Sequence, residues 1–113
     1  YAAGELKHGP IALLDEQMPV LVIAPKNTLT DKLLSNIKEV QARNAPLFII
    51  GDKSIKEHIN LQDDEFFELP LIPESILPVI SVIPMQLLAL YSAQTLGKNV
   101  DQPRNLAKSV TVE

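Results

Sequence analysis

Two continuous apolar runs, separated by a longer amphipathic segment, dominate the first half of the chain. They are residues 19–24 (PVLVIA) and residues 46–51 (PLFIIG), and neither alternates apolar with polar positions. Such runs are typical of strands in a parallel sheet whose two faces are both covered. A weaker run at residues 65–70 (EFFELP) ends on a proline, so we expect a third strand nearer a sheet edge.

The segment between the first two strands is predicted to be an amphipathic helix. Thr28 is the expected N-cap, with Asp31 three residues later, and Asn44 is the expected residue after the helix, before Pro46 stops it. Strand, helix and strand in this order predict a right-handed βαβ crossover and parallel pairing. The apolar positions fall on one stripe at helical spacing: Leu29, Leu33, Leu34, Ile37 and Val40.

A short polar helix is predicted at residues 54–59 and a long helical region at residues 75–97, ending at Gly97. Pro84 should kink the long helix or begin its second half. That helix is apolar nearly all round, so we expect burial against the sheet on one side and against missing sequence or a second subunit on another. Three strands are few for a sheet covered on both faces, which indicates a truncated α/β domain.

The same region raises the question of a membrane span, because Glu74 is the one charged residue in residues 69–91. Its charge-free apolar part, residues 76–90, is shorter than the roughly 20 residues that a spanning helix needs. Pro78 and Pro84 also interrupt it. A buried or interface helix is therefore preferred, and no membrane partner is predicted.

Composition excludes several classes of function. The 113 residues suit one domain, and a net charge of −4 without any basic run argues against nucleic-acid binding. The absence of cysteine excludes disulfides, thiolate catalysis and cysteine-based zinc sites, and it fits a cytoplasmic protein. No cluster of histidine and acidic residues has metal-ligand spacing, so neither a metal nor another cofactor is predicted. The chain opens on Tyr1 with no signal peptide, and we interpret Tyr1 as an internal position of a longer polypeptide.

Ligands of open α/β sheets bind beyond the carboxyl ends of the strands. In this chain those ends are followed by residues 25–28 (PKNT), residues 51–54 (GDKS) and the stretch after Leu69. The GDKS segment lacks the glycine spacing of a phosphate loop or a dinucleotide fingerprint. An ordinary turn, with Ser54 capping the short helix, is the preferred interpretation.

Two histidines differ in their surroundings. His58 stands among charged and polar neighbours, where a solvated side chain is expected. His8 precedes Gly9 and lies close to Glu5 and Lys7, on a turn whose glycine allows unusual backbone angles. An imidazole suits proton transfer near neutral pH. From the residues alone, a surface or capping histidine remains the preferred interpretation of His8.

The carboxyl-terminal segment, residues 101–113 (DQPRNLAKSVTVE), contains Lys108 four residues after Arg104. Pro103 indicates that the helix has already ended, so this segment is an extended or looped tail. A neutral lysine amine can attack a carbonyl and form a Schiff base, which suits ketose sugars. The alternative is a lysine whose stem lies on apolar surface, and spacing alone favours that alternative.

Two stretches carry a resemblance to a known family. Residues 1–20 (YAAGELKHGPIALLDEQMPV) and the tail DQPRNLAKSVTVE are similar to the C-terminal part of the glucosamine-6-phosphate synthase family. The resemblance also includes PVLVIAP, SNIKEV and PMQLLA, whereas residues 45–75 are generic α/β sequence. It implies a sugar-isomerase (SIS) fold, a three-layer, Rossmann-like parallel sheet flanked by helices. Residues 1–113 would be the C-terminal portion of the second SIS subdomain, with residues 99–113 as an active-site tail.

The resemblance also implies an activity, that of a glutamine–fructose-6-phosphate transaminase (isomerizing). Such an enzyme converts fructose 6-phosphate and glutamine to glucosamine 6-phosphate and glutamate, using ammonia from an upstream glutaminase region. By resemblance, Lys108 forms the Schiff base with the open-chain ketose and the backbone of Ala107 contacts the sugar. His8 assists ring opening in the site of a neighbouring subunit, which implies a homodimer. The family's phosphate loops and carboxylate base lie upstream, so the isolated chain is expected to be inactive.

Two other classes of function stay open. One is a non-catalytic SIS module that binds phosphosugars, for which a Schiff-base lysine at position 108 would be unnecessary. The other is a structural or dimerisation piece, motivated by the apolar residues 75–97. Lys108 is the feature that favours the enzyme over both of them.

Overall fold

The computed structural model describes residues 1–61 and 65–102. Its strands form one parallel sheet in the order β1-β2-β3, with Val20 opposite Leu47 and Ile49 opposite Phe66. The predicted parallel pairing and the edge position of the third strand are confirmed. The elements are β1 (Val20–Ala24), α1 (Thr30–Gln41), β2 (Leu47–Gly51), α2 (Lys53–Lys56), β3 (Phe66–Glu68) and α3 (Leu77–Thr95).

Prolines set the ends of the strands. Pro46 precedes β2, and its carbonyl oxygen accepts a bond from the Val20 amide at 2.8 Å. The third strand is shorter than predicted. The amide of Leu69 still donates to the Gly51 carbonyl oxygen at 2.8 Å, but Pro70 has no amide hydrogen with which to extend the pairing.

The start of α1 differs from the prediction, because Thr28 is not its N-cap. The helix begins at Thr30, and the Asn27 side chain accepts a hydrogen bond from the Leu29 amide at 2.8 Å. The Thr30 hydroxyl accepts from the Asn27 amide at 2.9 Å and donates to the Asn27 carbonyl at 2.8 Å. Asn27 therefore makes the turn that starts the helix, as its side chain readily does. At the other end, Asn44 has a positive φ of 57°, as expected of the residue that terminates this helix.

The core lies on one face of the sheet. Side chains alternate along each strand, and the face that includes Ile49 and Val22 packs against α1. On the other face Ile50 is buried, whereas three large side chains remain 37–46% exposed: Ile23, Phe48 and Phe67. The prediction that both faces are covered is therefore only partly right for the described residues. The buried core cluster comprises Ala24, Leu34, Ile37, Val40, Ala45, Leu47, Ile49, Ile55 and Ile59.

The long helix α3 covers 19 residues and continues through Pro84. It ends as predicted at Gly97, which has a positive φ of 64°. The amide of Lys98 donates to the Ala93 carbonyl at 2.8 Å, and the Gly97 amide donates to the Gln94 carbonyl at 2.9 Å. These two bonds satisfy the last carbonyl groups of the helix in the Schellman arrangement.

The described residues do not bury α3, and its predicted cover by missing sequence or a second subunit stays a prediction. Ser81 is its one buried residue, and apolar side chains such as Val79, Leu88 and Tyr91 are 49–62% exposed. Of the described helices, α3 alone is long and apolar enough to cross a membrane, a test that core helices of soluble proteins also pass. The chain divides into two compact units, residues 1–81 with the sheet and residues 82–113 with most of α3.

Candidate functional site

His8 ends a short 3₁₀ helix, Ala3–His8, at a sharp turn. The turn is made by Gly9, whose φ of 151° and ψ of −59° are unfavourable for other residues. A second 3₁₀ helix, Pro10–Leu13, follows directly. The unusual backbone predicted at Gly9 is confirmed, and it leaves the His8 side chain exposed at the surface.

The segment that carries His8 is attached to the rest of the unit at two consecutive residues. Leu6 packs against the core cluster, and the Lys7 Nζ lies 2.9 Å from the Glu39 Oε1 on α1. Sequence reasoning missed this ion pair, because the two residues are far apart in the chain and no spacing rule connects them. Helix α1 thus holds the segment that presents His8.

The three predicted ligand-edge segments do meet at the carboxyl ends of the strands. They surround a cavity of about 120 Å³, which brings Lys26 and Asp52 to the same place. Small-molecule sites usually enclose roughly 300–1,000 Å³, so this cavity is too small for a sugar phosphate. Its lining comprises Pro25, Lys26, Asp52, Leu69, Pro70, Leu71, Ile72, Glu74 and Leu77.

Asp52 in that cavity caps α2, which corrects the prediction that Ser54 is the cap. Its Oδ1 accepts hydrogen bonds from the Ser54 hydroxyl at 2.5 Å and from the Ser54 amide at 2.9 Å. These bonds, helped by the charge of Lys26, lower the pKa of Asp52 despite its partial burial. The carboxylate is therefore ionised at neutral pH and holds a turn. The interpretation of residues 51–54 (GDKS) as an ordinary turn is therefore confirmed.

His58 has the solvent-exposed position that the sequence predicts. Its Nδ1 lies 2.7 Å from the Ser54 carbonyl oxygen, which requires that this nitrogen carry the proton and donate. The described residues contain no group of three or more histidine and acidic side chains that could hold a metal ion. Within that part of the chain, His8 is the better candidate for proton transfer.

A larger cavity, of about 570 Å³, lies within the second unit. Its walls are mostly apolar, Lys98 is the one cation among the described residues that line it, and its volume is in the range of small-molecule sites. Ala107 and Lys108 lie outside the described residues, so their predicted roles rest on the sequence. The lining residues, the last three of which belong to the predicted tail, are Ala89, Leu90, Ala93, Lys98, Asn99, Val100 and Gln102.

Comparison with known proteins gives the context of these features. The SIS domain family matches residues 1–96. The chain is 55% identical over all 113 residues to the glutamine–fructose-6-phosphate aminotransferase [isomerizing] of Bartonella henselae, of which it covers 19%. It is 51% identical over the same length to the protein of that name from Escherichia coli (strain K12), of which it covers 18%. The chain therefore spans about a fifth of the length of these curated relatives.

A solved structure extends the match to three dimensions. It is described as the C-terminal domain of glucosamine-fructose-6-phosphate aminotransferase from Francisella tularensis. The match has a TM-score of 0.83 and 44% sequence identity, and it covers 91% of this chain and 29% of that one. The predicted resemblance and the predicted α/β fold class are both confirmed.

Proposed function

The chain belongs to the SIS domain family, and from that starting point we propose that it is part of a glutamine–fructose-6-phosphate aminotransferase (isomerizing). In this proposal it supplies a Schiff-base lysine, Lys108, and a ring-opening histidine, His8. The observation that carries the proposal is sequence identity of 51–55% to enzymes of that name across the whole chain, including both end segments.

The proposed chemistry begins with the sugar ring. The His8 imidazole moves the proton from the anomeric hydroxyl toward the ring oxygen, so that fructose 6-phosphate opens to the free ketone. The neutral amine of Lys108 then adds to the ketone carbon, and loss of water leaves an imine. The imine carbon, which was the ketone carbon of the sugar, has thereby lost its oxygen as water and can accept nitrogen. The backbone of Ala107, next to the lysine, contacts the sugar and aligns the carbonyl.

The exposed position of His8 supports a site shared between subunits of a homodimer. The imidazole stands at the surface beyond Gly9, where a neighbouring chain can reach it. We propose that it serves the partner's site, while regions outside this chain bind the sugar phosphate, act as the proton-transfer base and supply ammonia. The enzyme needs no cofactor in this proposal and works in the cytoplasm on fructose 6-phosphate, releasing glucosamine 6-phosphate.

Helix α3 fits the same proposal. The SIS match extends over residues 1–96 and so includes all of α3. We therefore interpret α3 as a domain helix whose apolar surface is covered in the full-length enzyme.

The proposal is tested by single variants of the full-length protein. Lys108→Ala should lower amination by at least about 10³-fold, because a covalent route is lost. His8→Ala should lower it by about 10²–10⁴-fold, the usual contribution of a general acid–base group. Lys32→Ala, a change of an exposed lysine on α1, is the matched control and should keep near wild-type rates. Unchanged amination by Lys108→Ala would overturn the role of Lys108, whereas no amination by the wild-type protein would favour a non-catalytic phosphosugar-binding module.

Mixing the two inactive variants tests the shared site. Random pairing makes about half of all dimers heterodimers, each with one intact site if the two residues come from different chains. Recovery of about a quarter of wild-type activity is then expected, since one site in two works in half of the dimers. No recovery would mean that His8 and Lys108 of one chain serve the same site.

A further inference from the structure

We propose that Glu39 is a positioning residue for His8 and acts through its ion pair with Lys7. The inference rests on the role that the proposed function gives to His8. It adds a residue outside the reacting groups, on a helix that no sequence motif connects to the histidine. In this proposal Glu39 touches no substrate atom, and its effect on the reaction passes through the backbone of the His8 segment.

The geometry points to Glu39 because it lies on α1, a helix whose inner face is buried in the core. Its neighbours Ile37 and Val40 on α1 are 1% and 2% exposed and pack in the core. The Glu39 side chain therefore projects from a fixed backbone and reaches Lys7 with 2.9 Å between Oε1 and Nζ. Lys7 is covalently adjacent to His8, so the pair fixes the residue next to the imidazole.

The segment itself has few other supports. It is a short 3₁₀ helix, a conformation with weaker hydrogen-bond geometry than an α-helix. Leu6 packs against the core, and Gly9 beyond His8 has free space around the position of a Cβ. The Leu6 contact is apolar and non-directional, whereas the adjacent ion pair adds a charged contact at a distance of 2.9 Å. His8 is then presented in one direction.

The two kinds of measurement, stability and catalysis, should respond differently. The Lys7 and Glu39 side chains are 49% and 34% exposed, and solvent screening leaves such pairs with little effect on global stability. Catalysis is more sensitive, because misplacing a reacting group by about 1 Å can cost roughly 100-fold in rate. The expected signature is a lower kcat with an unchanged unfolding midpoint.

The experiment uses the full-length protein and three changes: Glu39→Gln, Lys7→Met and the charge swap Lys7→Glu with Glu39→Lys. Each single change should lower kcat for amination by about three- to tenfold, with KM for fructose 6-phosphate and the pH profile retained. The swap should restore at least half of that loss, since it rebuilds the pair. Glu57→Gln, directly after α2, and Lys32→Met, on α1, are matched controls and should leave kcat unchanged.

Two results would overturn the inference while leaving the proposed function intact. One is wild-type kcat in Glu39→Gln together with a crippled His8→Ala. The other is a swap as inactive as Lys7→Met, which would mean that Lys7 contacts the substrate directly. Full activity of His8→Ala would overturn the proposed function itself, and with it any need to position the imidazole.

Discussion

Helices α1 and α3 are both rich in apolar residues, yet the chain buries only one of them. In α1 the apolar residues form one stripe, and Leu34, Ile37 and Val40 are 1–7% exposed. In α3 they occur on every side, and Val79, Leu88 and Tyr91 remain 49–62% exposed. A stripe can be satisfied by one sheet face, whereas an all-round apolar surface needs more neighbours than these residues find here.

The two helices differ in whether this chain alone supplies their packing partners. Around α1 the buried core is formed within the chain, and α1 also contacts the His8 segment through the Lys7–Glu39 ion pair. The α3 side leads toward the tail with Ala107 and Lys108. We expect the remaining four-fifths of the full-length enzyme to cover α3 and to complete the site around the tail, as the lengths of the relatives suggest.

The largest expected effect on folding stability comes from the core between the sheet and α1. Ile49→Ala should lower the free energy of unfolding by about 2–5 kcal/mol, because it opens a cavity beside α1. Ile23→Ala is the matched control, a residue of the same type on the opposite face that is 42% exposed. Ile23→Ala should lower the free energy of unfolding by about half as much as Ile49→Ala. Equal losses in urea unfolding would show that the two faces do not differ.

A smaller loss of folding stability is expected at Gly51 of β2, which lies opposite Ala24 of β1. A Cβ on Gly51 would lie 2.6 Å from the Ala24 carbonyl oxygen, which is backbone and cannot move aside easily. Gly51→Ala should therefore lower the free energy of unfolding by about 1–3 kcal/mol. Gly4→Ala meets no atom within 4 Å and serves as the control. A neutral result for Gly51→Ala in urea unfolding would contradict the close packing of these strands.

The polar turn at Asp52 should contribute less, and in a pH-dependent way. Asp52→Ala should lower the free energy of unfolding by about 1 kcal/mol at pH 7, the usual value of a helix cap. The pKa of Asp52 is lowered from its ordinary 3.8, so the contribution is complete above pH 3.8 and is lost as pH falls through the folded-state pKa. Urea unfolding between pH 2 and pH 7, compared with Glu57→Ala, checks this. A difference that persists at the acid end would exclude the carboxylate as its source.

The smallest effect on folding stability is expected at the exposed surface of α3. Leu88→Ala should change the free energy of unfolding of the 113-residue chain by less than about 1 kcal/mol, since the side chain is 49% exposed. In the full-length enzyme the same change should cost about 2 kcal/mol or more, if other regions cover α3. Urea unfolding of both proteins provides the comparison. Equal small costs in both would mean that α3 stays uncovered.

The strands and α1 could be predicted from the sequence, because they depend on the local pattern of apolar residues. Continuous apolar runs predicted the parallel strands, and an apolar stripe at helical spacing predicted α1. The cap predictions at Thr28 and Ser54 were wrong, because the Asn27 side chain accepts from the Leu29 amide and the Asp52 side chain accepts from the Ser54 amide. The Lys7–Glu39 ion pair could not be predicted, because it depends on how distant segments fold together.

The sequence indicated that α3 needs several neighbours and assigned part of that cover to missing sequence or a second subunit, which stays a prediction. The burial expected within this chain was wrong for the described residues, because an apolar composition does not say which neighbours supply the cover. The two proposed catalytic residues were also not identified by local sequence patterns alone. From the residues alone, a surface or capping role was preferred for His8 and a structural role for Lys108. Both residues gained their proposed catalytic roles from family resemblance.

The most direct test of the proposed function is chemical trapping in the full-length protein. Fructose 6-phosphate is added and the mixture is reduced with borohydride, which converts an imine to a stable amine. The protein is then digested and its peptides are analysed by mass spectrometry. We predict that the reduced sugar phosphate is attached to Lys108. Attachment to another lysine such as Lys98, or no attachment under conditions of active turnover, would contradict the account.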